Sequence, residues 1–159
     1  MRINNIFSFS LICFLLLTEG CKVKMINWQY QVECNGLGAQ GVQSLRIKTK
    51  SHKKSELMES AKKNAVHSMI FRGAPVGEIG CPKIPMIPIS SENETRNREF
   101  FKNFFRNGGE YQTFIASSPV LITPIVLLRM GEWEAEYTIG IRYNALKEYL
   151  KQNGIINTF

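Results

Sequence analysis

Three stretches of the chain alternate apolar with polar residues, which is the pattern of half-buried β-strands. They are residues 28–34, 42–50 and 133–142. The last is the clearest, because the alternation is strict from Trp133 to Ile141. Two less regular stretches, YQTFIAS at 111–117 and PIVLLRM at 124–130, are predicted as further strands, and SSPVLITP as a break or an edge. The pattern therefore predicts about five strands.

Three other stretches repeat apolar residues every three or four positions, which indicates helices. They are residues 53–73, 90–109 and 144–155. Glycines stop these helices at Gly73, Gly108 and Gly154, while a capping box opens the second at Ser91 and Asn144 caps the third. The predicted core-facing residues of the first helix are Leu57, Met58, Ala61, Ala65, Met69 and Ile70.

This order of elements implies an α+β fold, in which an antiparallel sheet of about five strands carries helices packed on one face. Residues 27–159 are long enough to bury a core as one domain. Between the first two helices, residues 73–90 carry four prolines separated by isoleucines and a methionine. We expect this segment to lie across the domain as a packed cover, although its Pro-x-x-Pro spacing also suits a docking motif.

The N-terminal segment has the composition of an export signal. A cation precedes about 12 apolar residues, fewer than the roughly 20 that a membrane span needs. The sequence LLLTEGC resembles the bacterial lipoprotein signal that ends at Cys21, but Glu19 stands where that signal has a small residue. The resemblance implies removal of residues 1–20, acyl chains such as palmitate on Cys21, and a tether at 21–26. A plain signal peptide that leaves Cys21 as an ordinary thiol is the alternative.

Charge and composition narrow the classes of function. The formal net charge is +7, all 13 acidic residues are glutamates, and the two histidines are His52 and His67. Without aspartate the chain lacks aspartyl dyads, aspartate-based metal loops and kinase sites, and two histidines argue against a histidine-rich metal site. We therefore expect no catalytic residue, no metal and no cofactor. We also expect no nucleic-acid partner, because the chain is predicted to be exported and its Lys and Arg residues are scattered apart from residues 48–54. His67 is expected at the surface, as a charge partner near a helix end.

The hexapeptide GLGAQG at 36–41 matches the G-x-G-x-x-G pattern of phosphate-binding loops. A dinucleotide site needs a helix after this pattern, whereas a strand follows here. A kinase glycine loop does lie between strands, but a kinase also needs aspartates. Gly36, Gly38 and Gly41 are therefore predicted to supply the positive φ angles of a hairpin loop.

After export, Cys34 and Cys81 remain as a candidate disulfide in an oxidising compartment. Two buried free thiols are the alternative, because one sequence does not show whether these cysteines lie close together. Neither cysteine belongs to a Cys-x-x-Cys motif, so a redox role ranks last.

Two clusters are candidates for binding a partner. The first comprises the basic residues Lys48, Lys50, Lys53 and Lys54, whose simpler interpretation is a solvated turn and helix start. The second comprises Phe100, Phe101, Phe104 and Phe105, pairs one helical turn apart. Burial is the default for such a stripe, and an exposed aromatic patch for protein or membrane contact is the alternative.

Three glutamates support a competing hypothesis, an envelope enzyme that acts on cell-wall or lipid material. Glu132, Glu134 and Glu136 alternate on the outer face of the clearest strand. Residues two apart on a strand lie about 7 Å from each other, a spacing that suits a paired-carboxylate site. A solvated strand face is the ordinary reason for the same pattern.

Three segments together resemble a known family. They are the glycine-bearing first hairpin, SELMESAKKNAVHSMI, and WEAEYTIGIRYNALKEYLKQNGI. They are similar to small bacterial envelope lipoproteins related to the N-terminal domain of the flagellar-assembly T protein, over about half of the mature chain. The resemblance implies a non-catalytic accessory or scaffold protein, anchored through Cys21 and joined to protein partners. No acidic cluster follows Cys21, so we expect a periplasm-facing position, on the outer membrane.

Overall fold

The computed structural model describes residues 28–88 and 96–156. The predicted signal peptide at 1–20, Cys21, the tether at 21–26 and the capping box from Ser91 to Glu94 lie outside the described residues.

A five-stranded antiparallel sheet forms the centre of the fold. Its strands are β1 (Tyr30–Leu37), β2 (Val42–Ser51), β3 (Val120–Leu121), β4 (Val126–Leu127) and β5 (Trp133–Arg142). In space β2 lies between β1 and β5, while β3 and β4 both pair with the far side of β5. β1 is therefore one edge of the sheet, and β3 with β4 is the other.

Within residues 28–88 and 96–156, three helices accompany this sheet: α1 (Leu57–Phe71), α2 (Arg98–Phe104) and α3 (Tyr143–Gln152). The longest, α1, packs against β2 and β5 and covers the apolar face of the sheet. The strands that alternate in sequence also alternate in burial, since Leu45 and Ile47 of β2 and Tyr137 and Ile139 of β5 are buried. The predicted α+β class, with its antiparallel sheet and helices, is thus confirmed.

Two predicted segments are irregular in the structure. Residues 111–117 do not form a strand, because Tyr111 and Phe114 are both buried and a 3-10 turn at Glu110–Phe114 brings residues three apart onto one side. PIVLLRM contributes only Val126–Leu127, and the predicted break contributes the two residues of β3.

Smaller corrections concern turns and helix ends. Gly36 and Gly41 have the predicted positive φ angles of 97° and 74°, but the third such residue in the loop is Gln40, with φ 57°, and not Gly38. Met58 of α1 is 46% exposed rather than facing the core. Asn144 does not cap α3, which already begins at Tyr143.

A disulfide joins Cys34 of β1 to Cys81, with their Cα atoms 6.0 Å apart. The segment before Cys81 is hydrogen-bonded along the edge of β1, because the Cys34 N–H donates to the Val76 carbonyl at 3.0 Å and the Glu78 N–H donates to the Cys34 carbonyl at 3.1 Å. The proline segment then packs on α1 as predicted, and its Ile87 is buried. Its Ile84, by contrast, is exposed.

Candidate functional site

Two glutamates of the enzyme hypothesis, Glu134 and Glu136, belong to a ladder of opposite charges on the face of the sheet away from α1, whereas Glu132 precedes β5 and lies 4.0 Å from His52. Glu134 lies 3.1 Å from the Lys48 amine and 3.8 Å from the Lys50 amine. Arg46 lies 3.5 Å from Glu136 and 3.6 Å from Glu33. Three cations thus match three carboxylates across β1, β2 and β5. The ladder is close to neutral, as a solvated strand face would be, and Glu134 and Glu136 both have cationic partners.

The predicted basic cluster divides between two surfaces. Lys48 and Lys50 extend from β2 into the charge ladder, whereas Lys53 and Lys54 follow the end of that strand. Lys53 pairs with Glu56 at 3.0 Å, and the Lys54 amine lies 5.4 Å from the ring centroid of Trp133. The four lysines therefore do not form one continuous patch.

A cleft of about 330 Å³ lies where β2 meets α1. Cationic Lys50, Lys53 and Lys63 line it together with anionic Glu56 and Glu132. The Lys63 amine donates a hydrogen bond to the Asn107 side chain at 2.7 Å, and burial lowers the pKa of Lys63 despite the opposing effect of Glu59 and Glu56. The cleft is polar and mixed in charge, which does not indicate a particular ligand.

His67 is buried, in contrast to the predicted surface position, with only 7% of its surface exposed. Its imidazole stacks on the Trp28 ring at 3.8 Å between centroids, and its Nδ1 lies 2.7 Å from the Tyr30 hydroxyl. Burial lowers the pKa of His67 to about 3, and the positive charge of Arg72 acts in the same direction. His67 is therefore a neutral member of the core at physiological pH. This burial was not predictable from local sequence, because Trp28 is far from His67 along the chain.

The phenylalanine stripe is mostly buried, which confirms the default interpretation. Phe104 and Phe105 are buried, so they are not available as an exposed aromatic patch. Phe100 and Phe101 are half-buried and pack against the core. The rings contact Phe71 of α1 and Tyr149 of α3, so the stripe joins the two helices.

The second edge of the sheet carries a cluster of exposed aliphatic side chains that sequence reasoning missed as a site. We call it the apolar edge: Val120, Leu121, Ile122, Val126 and Leu127. Each is between 42% and 62% exposed. Large exposed apolar patches on a monomer commonly mark contact sites. In the sequence, the apolar edge corresponds to the concentration of valine, leucine and isoleucine in SSPVLITPIVLLRM. This composition predicted strands but did not predict that their side chains are exposed.

Register places these side chains on both faces of the sheet. Val120 pairs with Thr138 and Val126 with Glu134, on the face of the charge ladder. Leu121 pairs with Tyr137, whose ring is buried on the side of α1. The apolar edge therefore wraps around the border of the sheet.

The two edges differ in how they are covered. Residues 76–78 hydrogen-bond to Cys34 and are held beside β1 by the disulfide. Nothing within the described ranges 28–88 and 96–156 pairs with the outer side of β3 or β4. Uncovered sheet edges are ready contact points for another chain, so the apolar edge is the better candidate for binding.

Within the described residues, no cluster of histidine, cysteine or glutamate could hold a metal ion. Over the same part of the chain, no helix combines the length and hydropathy required to span a bilayer. Comparison with protein-family models, with curated proteins and with solved structures finds no significant match. The resemblance to the flagellar-assembly T protein family therefore stays a prediction.

Proposed function

We propose that this chain is a non-catalytic accessory protein of the bacterial envelope, anchored by lipid on Cys21 and facing the periplasm. It binds a protein partner through the apolar edge. The observation that carries the proposal is the exposure of five aliphatic side chains along one uncovered border of the sheet. Leaving such a patch in water is unfavourable by about 25 cal/mol for each Å² of apolar surface that a partner would bury.

The chemistry of the apolar edge defines the partner. All five of its side chains are aliphatic, so the partner presents an apolar surface rather than an acidic one. Pro124 has no N–H and separates β3 from β4, which prevents a long uninterrupted added strand. The partner is therefore expected to pack side chains around the border, with main-chain pairing limited to short segments.

The anchor rests on the resemblance of LLLTEGC to a lipoprotein signal. Cys21 lies seven positions before Trp28, where the described domain begins. A tether of this length keeps the domain close to the membrane that holds the lipid. Local confinement of this kind raises the effective concentration of the domain near partners in the same envelope layer.

The test is an affinity purification of the full-length protein from detergent-solubilised envelopes. Three variants are compared with the wild type: Leu127→Glu on the apolar edge, Leu37→Glu as the control, and Cys21→Ala. Leu37 is 61% exposed at the end of β1, so the control introduces the same charge on the other edge.

We expect a stoichiometric protein partner with the wild type and with Leu37→Glu, and its loss with Leu127→Glu. Loss of membrane fractionation in Cys21→Ala supports the anchor. A protein that purifies alone, or a partner that Leu127→Glu retains in full, contradicts the binding proposal.

A further inference from the structure

Trp28, the end of β2 and the β4–β5 turn all lie at one end of the sheet. Tyr30 at the start of β1 pairs with Thr49, and Ser51 at the end of β2 pairs with Trp133. Leu127 at the end of β4 pairs with the same Trp133. We call this end of the molecule the tether end. Its exposed cations are Lys53, Lys54 and Arg129, and its exposed apolar tip is Met130.

An apolar side chain projects at the tip of the tether end. Met130 lies in the turn between β4 and β5 and is 87% exposed. The turn is closed by a hydrogen bond from the Gly131 N–H to the Leu128 carbonyl at 3.0 Å. Gly131 has a φ of 74°, a conformation that glycine adopts without strain. A tight turn thus holds a methionine outward, where the protein itself does not cover it.

Cations lie at the same end of the sheet as this tip. Arg129 precedes Met130, and Lys53 and Lys54 leave the neighbouring end of β2. His52 lies 4.0 Å from Glu132 of the same turn, which brings the two loops together. Lys53 is paired with Glu56, but its side chain is still 72% exposed. The tether end therefore combines a protruding apolar group with three cations, Lys53, Lys54 and Arg129, against the two carboxylates of Glu56 and Glu132.

Tryptophan also concentrates at this end. The chain has two tryptophans, Trp28 and Trp133, and both are at the tether end. Both are partly buried and pack against the core. Tryptophan beside cations and an exposed apolar side chain is the composition of protein surfaces at a membrane interface.

We propose that the tether end sits on an anionic phospholipid leaflet, with Met130 entering the headgroup region and Lys53, Lys54 and Arg129 facing lipid phosphates. This proposal rests on the proposed lipid anchor at Cys21. Trp28 follows Cys21 by seven positions, so the chain between them spans at most about 25 Å. The anchored domain therefore stays within reach of the leaflet, and Trp28 brings the tether end closest to it.

Weak contacts are sufficient to keep the tether end on the leaflet when the domain is already anchored beside it. Each cation near an anionic leaflet contributes a small electrostatic attraction, and one methionine adds a small apolar contribution. These contributions are too small to bind an unanchored protein stably to a bilayer. The tether, however, makes the contact with the leaflet intramolecular. A stable protein interface would need a much larger complementary area than one protruding methionine supplies. The leaflet is therefore the occupant that the tether end fits.

The two tryptophans allow a direct test with the full-length protein, processed in cells and purified. The protein is reconstituted in vesicles of phosphatidylglycerol and phosphatidylcholine in equal parts, made with or without bromine on the acyl chains. Brominated lipid quenches the fluorescence of tryptophans close to the bilayer. The test variant is Arg129→Glu with Met130→Glu, and the control is Leu37→Glu at the opposite end of β1. Mass spectrometry of each preparation reports whether Cys21 is acylated.

We expect clear quenching in the wild type and in Leu37→Glu, and at least a twofold loss of that quenching in the double variant. The wild type should show a similar loss in vesicles of phosphatidylcholine alone. Acylated protein that is not quenched, or that is quenched equally in the double variant, overturns the inference and leaves the anchor intact. If Cys21 is unacylated, the anchor proposal fails. The leaflet contact, which rests on that anchor, is then overturned with it.

Discussion

At the residue scale, His67 shows how burial changes the chemistry of a side chain. An exposed histidine has a pKa near 6.5, whereas the ring of His67 is covered by Trp28 and Phe71 and has a pKa of about 3. The folded state therefore resists protonation that the unfolded chain accepts. The imidazole contributes to stability only while it is neutral.

The pH dependence of stability follows from this difference. Between pH 6.5 and about 3 the unfolded chain binds a proton at His67 that the folded chain does not, so stability falls as the pH falls. The slope is at most about 1.4 kcal/mol per pH unit. Urea denaturation from pH 7 to pH 4 measures it. We expect His67→Gln to be less stable at pH 7 but to lose much of the slope.

His52→Gln is the matched control, because the side chain of His52 is 82% exposed. Its pH slope should equal that of the wild type. An unchanged slope in His67→Gln would show that the buried imidazole does not control acid stability.

Gly77 provides a second test at this scale. It has a φ of 144°, and an added Cβ would overlap the main chain of Cys34. Gly77→Ala should lower the free energy of unfolding by about 1–3 kcal/mol, because residues 76–78 would be pushed away from β1. Gly80→Ala is the control, since Gly80 also has positive φ, 92°, but a Cβ there meets no atom within 4 Å. Equal losses in the two variants, measured by urea denaturation, would contradict the steric argument.

At the scale of elements, the disulfide holds the segment at 76–78 against the edge of β1. The bonded cysteines are 47 positions apart. Closing a loop of this size stabilises a protein by roughly 4 kcal/mol through the entropy of the unfolded chain. Double substitution of Cys34 and Cys81 by alanine should therefore lower the unfolding free energy by roughly 2–4 kcal/mol.

Hydrogen exchange separates this local effect from global destabilisation. The amides of Cys34 and Glu78, which bond across the covered edge, should lose more protection than the buried amides of β5. Equal loss at all sites would indicate that the disulfide stabilises the whole fold rather than the cover of β1.

The elements that sequence predicted well are those with strict periodicity. The alternation from Trp133 to Ile141 identifies β5, since the apolar positions from Ala135 to Ile141 are buried, whereas the opposite face is half-buried from Glu134 to Thr138. Tyr111 and Phe114 misled the prediction because a segment that packs both aromatic rings inward resembles a strand in composition. The two-residue strands β3 and β4 are too short to impose any period.

The candidate sites were predictable only where local sequence decides exposure. The burial of Phe104 follows from a helix that presents one apolar stripe. The pairing of Lys48 with Glu134 depends on the register of β2 with β5, and the stacking of His67 on Trp28 depends on how α1 crosses the sheet. Such contacts between distant residues are set by tertiary packing, which one sequence does not reveal.

At the scale of the whole molecule, one sheet carries two surfaces of different chemistry, the apolar edge and the tether end. The apolar edge has no charged side chain, whereas the tether end is basic. Salt screens charges beyond about 8–10 Å at physiological ionic strength but hardly affects apolar contacts. Raising the salt concentration should therefore weaken quenching by brominated lipid and leave co-purification of the protein partner unchanged.

Both effects can be measured on one reconstituted sample that contains the partner, by titrating sodium chloride. Leu37→Glu serves again as the control for added charge. A partner that dissociates at high salt as readily as the bilayer contact is lost would show that binding is electrostatic and does not occur through the apolar edge.

The most direct test of the central claim is photo-crosslinking in living cells. A benzoylphenylalanine residue is placed at position 127 on the apolar edge or at position 37 on β1, both of which carry exposed leucines. The account predicts a discrete crosslinked protein from position 127 and none from position 37. No protein crosslink from position 127, or the same crosslink from both positions, would contradict the assignment of the apolar edge as the partner-binding surface.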